Sequence, residues 1–111
     1  MTPAVGGKTV EVRVSGDLTL GPQLRRFAEK LAERMTAGRA HALLLDLSAL
    51  GNIDSAGLGE LVILHTTGAE HHCRVALVGT PARVVTLLVT TRLDGLLPRY
   101  DSMEAARAAN A

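Results

Sequence analysis

The stretch Ile53-Asp54-Ser55-Ala56-Gly57-Leu58-Gly59-Glu60-Leu61 decides how this chain is read. Before it stand an apolar run, His41-Ala42-Leu43-Leu44-Leu45-Asp46-Leu47-Ser48, and a short connector, Ala49-Leu50-Gly51-Asn52. An apolar run of that length between turn formers predicts a buried strand. After it, Leu58, Leu61, Val62 and His65 fall at the spacing of one helix face. Asp54 and Ser55 therefore sit where a strand and loop give way to a helix. A helix start leaves backbone N–H groups unpaired and carries partial positive charge, so a serine hydroxyl there stands at the surface and an added phosphate is tolerated. Asp and Ser are also the usual N-cap residues, and on spacing alone a cap is the simpler account of the pair. Gly57 and Gly59 ask for more, because glycine inside a helix costs about 1 kcal/mol relative to alanine. With Ala56 they leave the first turn almost bare, which implies that another backbone, or a partner, comes close to Ser55.

Outward from this stretch, strand and helix patterns alternate. Val10, Val12 and Val14 alternate with Glu11 and Arg13, the period of a half-buried strand. Ser15-Gly16-Asp17 supplies a turn, and Leu18 to Leu20 resumes an extended segment. Pro22 then opens a helix at its first turn, with Leu24, Phe27, Ala28, Leu31, Ala32 and Met35 on the apolar stripe and Gly38 as its stop. The strand over Ala42 to Leu47 follows, then the Ser55 helix to about Ala69. Arg74 to Val78 is another short apolar strand. Gly79-Thr80-Pro81 repeats the loop-to-helix signature, with Thr80 as cap and Pro81 at the first helical position; that helix stops near Leu93-Asp94-Gly95. Leu96 to Tyr100 reads as a last edge strand, weakened by Pro98. Asp101-Ser102-Met103-Glu104 reads as a capping box for a terminal helix through Ala109. This alternation predicts an α/β fold, a mostly parallel sheet with helices packed on it.

The 111 residues suffice for one domain with a real core. Apolar residues make up 47% of the chain and the net charge is +1, which favours a folded domain over disorder. With one Phe, one Tyr and no Trp there are no stacking platforms for single strands or sugars, and the charge balance offers no basic field for nucleic acid. Cys73 is the single cysteine, so no internal disulfide forms and a reducing compartment is inferred. No signal-peptide core is read near the N-terminus and no run approaches membrane-spanning length, so a cytoplasmic protein without direct membrane insertion is expected.

Catalytic and ligand motifs are incomplete. His71-His72-Cys73 with His65 matches no established zinc spacing, and adjacent histidines project apart. Cys73 as a nucleophile needs a base the sequence does not identify. Gly57-Leu58-Gly59 begins a dinucleotide fingerprint, but Val62 stands at the third glycine position. Ser55 lacks the frame of a hydrolase elbow, because Ile53 stands two residues before it. Asp46 is read as ending its strand and bonding local backbone donors. No enzyme, metal or cofactor is expected.

Taken together, Leu44-Leu45-Asp46-Leu47-Ser48, Ile53-Asp54-Ser55-Ala56-Gly57-Leu58-Gly59, Val75-Ala76-Leu77-Val78-Gly79 and Val14-Ser15-Gly16-Asp17-Leu18 resemble an STAS domain, the fold of bacterial anti-sigma factor antagonists. The likeness runs from about Val10 to Ala109. It implies a single-domain STAS-like fold, with a mostly parallel four- to five-stranded sheet and about four helices. Residues 10–111 would form the domain, and residues 1–9 a short N-terminal segment whose Thr2 to Val5 is a candidate edge strand. In that family an anti-sigma factor, an ATP-bound serine/threonine kinase, phosphorylates the motif serine. The unphosphorylated protein binds that kinase and releases the sigma factor, and a PP2C-type phosphatase restores the serine. By resemblance, Ser55 is the phosphorylated residue and Asp54 its acidic neighbour. Ala56, Gly57 and Leu58 would belong to the docking surface, joined by Asp17, Thr19 and Gly21 from the turn beside them. STAS domains also serve as structural subunits of membrane lipid or anion transport systems and as signalling scaffolds, and the fold alone does not select among these roles.

Overall fold

The computed structural model describes residues 8–37 and 39–110. Its elements run β1 (Lys8–Arg13), β2 (Gly16–Leu18), α1 (Pro22–Ala37), β3 (Ala40–Asp46), β4 (Leu50–Ile53), α2 (Ser55–Glu70), β5 (Arg74–Val78), α3 (Ala82–Thr90), β6 (Arg99–Tyr100) and α4 (Met103–Ala109). The main sheet is parallel, with strand order β1-β3-β5-β6, so each new strand is laid down on the same side of the last and the order never reverses among the described strands. A separate parallel pair joins β2 to β4.

The apolar run of β3 is buried on both faces, as its composition demands: Ala42, Leu43, Leu44 and Leu45 expose nothing. On one face Leu43 and Leu45 join Val75 and Leu77 of β5 beneath Leu24, Leu31 and Met35 of α1, Leu58, Leu61 and Leu64 of α2, and Val84 and Leu88 of α3. On the other face, among the described residues, Ala42, Leu44, Ala76 and Val78 pack with α4 and β6 through Ala106, Met103 and Tyr100. Small side chains there let α4 lie close to the sheet. Its Arg107 reaches across to Glu11 of β1 with two hydrogen bonds, at 2.5 and 2.7 Å.

The structure departs from the sequence expectations in instructive places. The expected connector over residues 49–52 is largely strand: β4 pairs with β2, which itself stops at Leu18 instead of running on to Leu20. The main sheet has four strands, within the expected four to five, and a second sheet of two accompanies it among the described residues. Thr80 is not a cap. Pro81 takes the N-cap position of α3, without a side-chain cap bond, and Thr80 Oγ1 is buried with no hydrogen-bond partner among the described residues. α3 ends at Thr90, before the expected stop, where the Thr90 and Thr91 hydroxyls turn back onto Thr86 O and Leu87 O. The last strand shrinks to Arg99–Tyr100, because Pro98 has no N–H to give; its carbonyl still accepts from Leu77 N–H at 2.8 Å. The terminal capping box is one-sided: Ser102 caps α4 through Ala105 N–H, which leaves Glu104 off the reciprocal position. The proposed edge strand over Thr2 to Val5, and Gly38 as the stop of α1, lie outside the described residues.

Candidate functional site

The first turn of α2 is built against the loop that leads from β2 into α1. Asp54 is the N-cap: its Oδ1 accepts from Gly57 N–H at 2.9 Å, and its extended backbone suits that position. Its Oδ2 accepts from Leu20 N–H at 2.9 Å, and its own N–H donates to Leu18 O at 3.3 Å. These backbone donors, Leu20 first and Gly57 second, hold the Asp54 carboxyl below the usual carboxylate range. Ser55 is then the first helical residue, with its side chain exposed.

Gly57 explains the bareness of this turn. A methyl group on it would lie 2.0 Å from the Leu18 carbonyl oxygen, so β2 can approach α2 only where Cβ is missing. Gly59 differs: a methyl there would meet nothing within 4 Å. It opens instead onto a shallow hollow between α1 and α2, lined by Leu20, Leu24, Arg25, Ala56, Glu60 and Ile63. Leu20 and Ile63, 81% and 56% exposed, are two of the large apolar side chains this surface leaves in water.

The residues singled out by resemblance are thus brought together, though not in equal roles. Ser55 is exposed, Ala56 is half-buried at the hollow, and Thr19 and Gly21 lie in the adjoining loop. Asp17 is exposed, with its carboxylate accepting from Asn52 N–H at 2.7 Å, which ties β2 to β4. Gly57 is sealed against Leu18, and Leu58 turns into the core at 4% exposure. As side-chain surface for a partner these two are therefore set aside; they support the surface from beneath.

Sequence reasoning missed Leu20, Gly59 and Ile63 as the hollow, and Arg83. The Arg83 guanidinium reaches from α3 to Leu50 O at 2.7 Å and to Gly51 O, fastening β4. Ile63 was hard to find because Leu61-Val62-Ile63-Leu64 is apolar throughout, so periodicity cannot say which residue faces out. Leu64, not Val62 or His65, joins Leu58 and Leu61 on the inward face. Leu20 did leave a signal, a large apolar residue in a loop just before Gly21-Pro22.

Asp46 does bond locally. Its Oδ1 accepts from the Ser48 hydroxyl at 2.7 Å and from Ser48 N–H at 2.9 Å, which lowers its pKa. Burial pushes the Cys73 thiol up, away from the reactive thiolate. Among the described residues no group of three or more His, Cys, Asp or Glu is placed to hold a metal ion. None of the helices described is long and apolar enough to cross a membrane.

A protein-family model described as "Mlab, STAS domain" matches residues 1–98. Among solved structures, a candidate anti-sigma factor antagonist from Thermotoga maritima is similar at 22% identity and a TM-score of 0.83, over 92% of this chain and 86% of that one. The anti-sigma factor antagonist SpoIIAA in its unphosphorylated form is similar at 16% identity and a TM-score of 0.71, over 95% and 90% of the two chains. A sulfate transporter family protein from Wolinella succinogenes follows at 15% identity and 0.75, over 92% and 84%. At these identities the likeness shows a shared fold. No curated relative matches the chain.

Proposed function

The chain belongs to the STAS domain family, and from that premise we propose that it is an anti-sigma factor antagonist, a protein-binding module switched by phosphorylation of Ser55. The observation that carries this reading is the placement of Ser55: exposed at the first position of α2, beside a hollow rimmed by solvent-facing Leu20 and Ile63. The likeness to anti-sigma factor antagonists, one of them described in its unphosphorylated form, supports it. The partner is an anti-sigma factor that is itself an ATP-bound serine/threonine kinase, and a PP2C-type phosphatase reverses the mark. The domain binds and does not catalyse.

The physics of such a switch is local. A phosphate on Ser55 adds about −1.5 to −2 charges next to Asp54. The α2 N-terminus offsets about 0.3–1 kcal/mol of that, so the fold persists. A partner packed over the hollow meets the charge directly, and like-charge juxtaposition at an interface costs several kcal/mol. About 3 kcal/mol weakens binding by roughly two orders of magnitude.

The test is a pull-down with wild type, Ser55→Ala and Ser55→Asp as baits, followed by identification of the captured proteins and incubation of the purified kinase with ATP. Labelling that survives Ser55→Ala removes Ser55 from the mechanism. A second reading, a structural subunit of a membrane lipid or anion transport system or a signalling scaffold, draws on the likeness to a sulfate transporter family protein. Copurification with an ATPase subunit and indifference to Ser55→Asp would favour it.

A further inference from the structure

The two carboxylate oxygens of Asp54 have different employments. Oδ1 stays within α2 and caps Gly57 N–H, whereas Oδ2 reaches 34 residues back along the chain to Leu20 N–H. Leu20 is 81% exposed, so its side chain gains little packing to hold it in place. The loop that carries it is tied instead through its backbone: Leu18 O accepts from Asp54 N–H, Leu20 N–H donates to Asp54, and Gly21 O accepts from Leu24 N–H. Of these ties, the Leu20 bond is the one made by a side chain and the one made at Leu20 itself.

We propose that Asp54 is a positioning residue, fixing Leu20 at the rim of the α1–α2 hollow so that an apolar partner surface meets a preformed contact. The proposal rests on the reading of this hollow as a docking surface. Ordering an exposed loop during association costs affinity, and a loop ordered beforehand avoids that cost. The charged groups that line the hollow are Arg25 of α1 and Glu60 of α2, and Asp17 of β2 is engaged with Asn52 N–H. The same Leu20 N–H is the first cause of the lowered pKa of Asp54, so the carboxylate stays an acceptor further into acid than an ordinary Asp would.

Asp54→Asn tests this in the whole chain. An asparagine keeps one acceptor oxygen, good for an N-cap, and turns an N–H₂ group toward the second donor. Amide hydrogen exchange followed by NMR should show Leu20 N–H accelerated in the variant at least about tenfold more than Leu44 in β3, which reports global stability. In wild type, protection of Leu20 should fall as acid protonates Asp54, and in Asp54→Asn that dependence should vanish. Equal protection of Leu20 in both proteins, or a flat wild-type profile, overturns the proposal; the wild-type profile stands even if the variant folds poorly. With the partner identified from the wild-type bait, Asp54→Asn and Leu20→Ala should each weaken binding, and the double variant no more than Leu20→Ala. Additive losses would mean that Asp54 touches the partner itself. The exchange rates are read on the unphosphorylated chain without a partner, and a difference in capture between Ser55→Ala and Ser55→Asp does not require the Asp54–Leu20 bond, so the two readings fail separately.

Discussion

At the start of α2 and at the start of α3, similar sequence signatures place a hydroxyl near a helix end, with opposite results. Ser55 follows its cap, so its hydroxyl is left in solvent while Asp54 does the capping. Thr80 precedes its cap, Pro81, and its Oγ1 is shut away without a partner among the described residues. The α2 junction is closed by a carboxylate and by the close approach of Gly57 to Leu18 O; at the α3 junction the helix's own Arg83 reaches out to Leu50 O and Gly51 O. The difference lies in register against the cap, one residue after it for Ser55 and one residue before it for Thr80. A side chain of the same chemistry is addressable in one place and mute in the other.

The largest expected effect comes from Gly57→Ala. Its methyl would overlap the backbone oxygen of Leu18 at 2.0 Å, and relieving such overpacking costs about 2–3 kcal/mol. Gly59→Ala, two residues on and in open space, should leave urea unfolding unchanged or stabilise the protein by about 0.5–1 kcal/mol through helix propensity. If the two variants melt together, β2 does not lean on α2 as described. Next in size is Thr80→Val, which removes a buried, unpaired hydroxyl and should stabilise the domain by about 1 kcal/mol in the same measurement. A loss of that size would show that Thr80 has a partner in solution.

Acid sharpens the contrast, since one junction depends on a carboxylate. The folded pKa of Asp54 lies below its ordinary 3.8, as does that of Asp46. Their stabilising bonds are fully present above that ordinary value and are lost as pH falls through the lower folded values. Circular dichroism on acidification should show wild type losing stability below about pH 4, with Asp46→Asn/Asp54→Asn starting lower and falling less. Smallest of all is Ser55→Ala, which should stay within about 0.5 kcal/mol of wild type in unfolding while abolishing labelling by the kinase.

These contrasts also mark where the sequence could be read and where it could not. The buried strand and the helix after Asp54 were legible, because a doubly buried run and a cap residue are local signals; the expected turn Ser15-Gly16-Asp17 was not, since Gly16 and Asp17 belong to β2. β4 was not legible: Leu50 to Ile53 becomes a strand through a partner, β2, far away in sequence, and the methyl-free Gly51 beside Asp17 looks like any connector glycine. The separate jobs of Gly57 and Gly59 were equally hidden. One glycine is required by a distant carbonyl and the other by nothing within the fold, and no local pattern distinguishes them.

The one-way progression of strands from β1 to β6 has a consequence for anyone seeking to block this protein. Parallel sheets shelter their small-molecule ligands at the gap where strand order turns around, and this sheet has no such gap among its described strands. For the docking surface proposed above, recognition would fall to the shallow trough between α1 and α2, where grip must come from breadth instead of enclosure. A useful antagonist would therefore be peptide-sized, spanning the trough from Leu20 to Ile63 and covering Ser55 on the way.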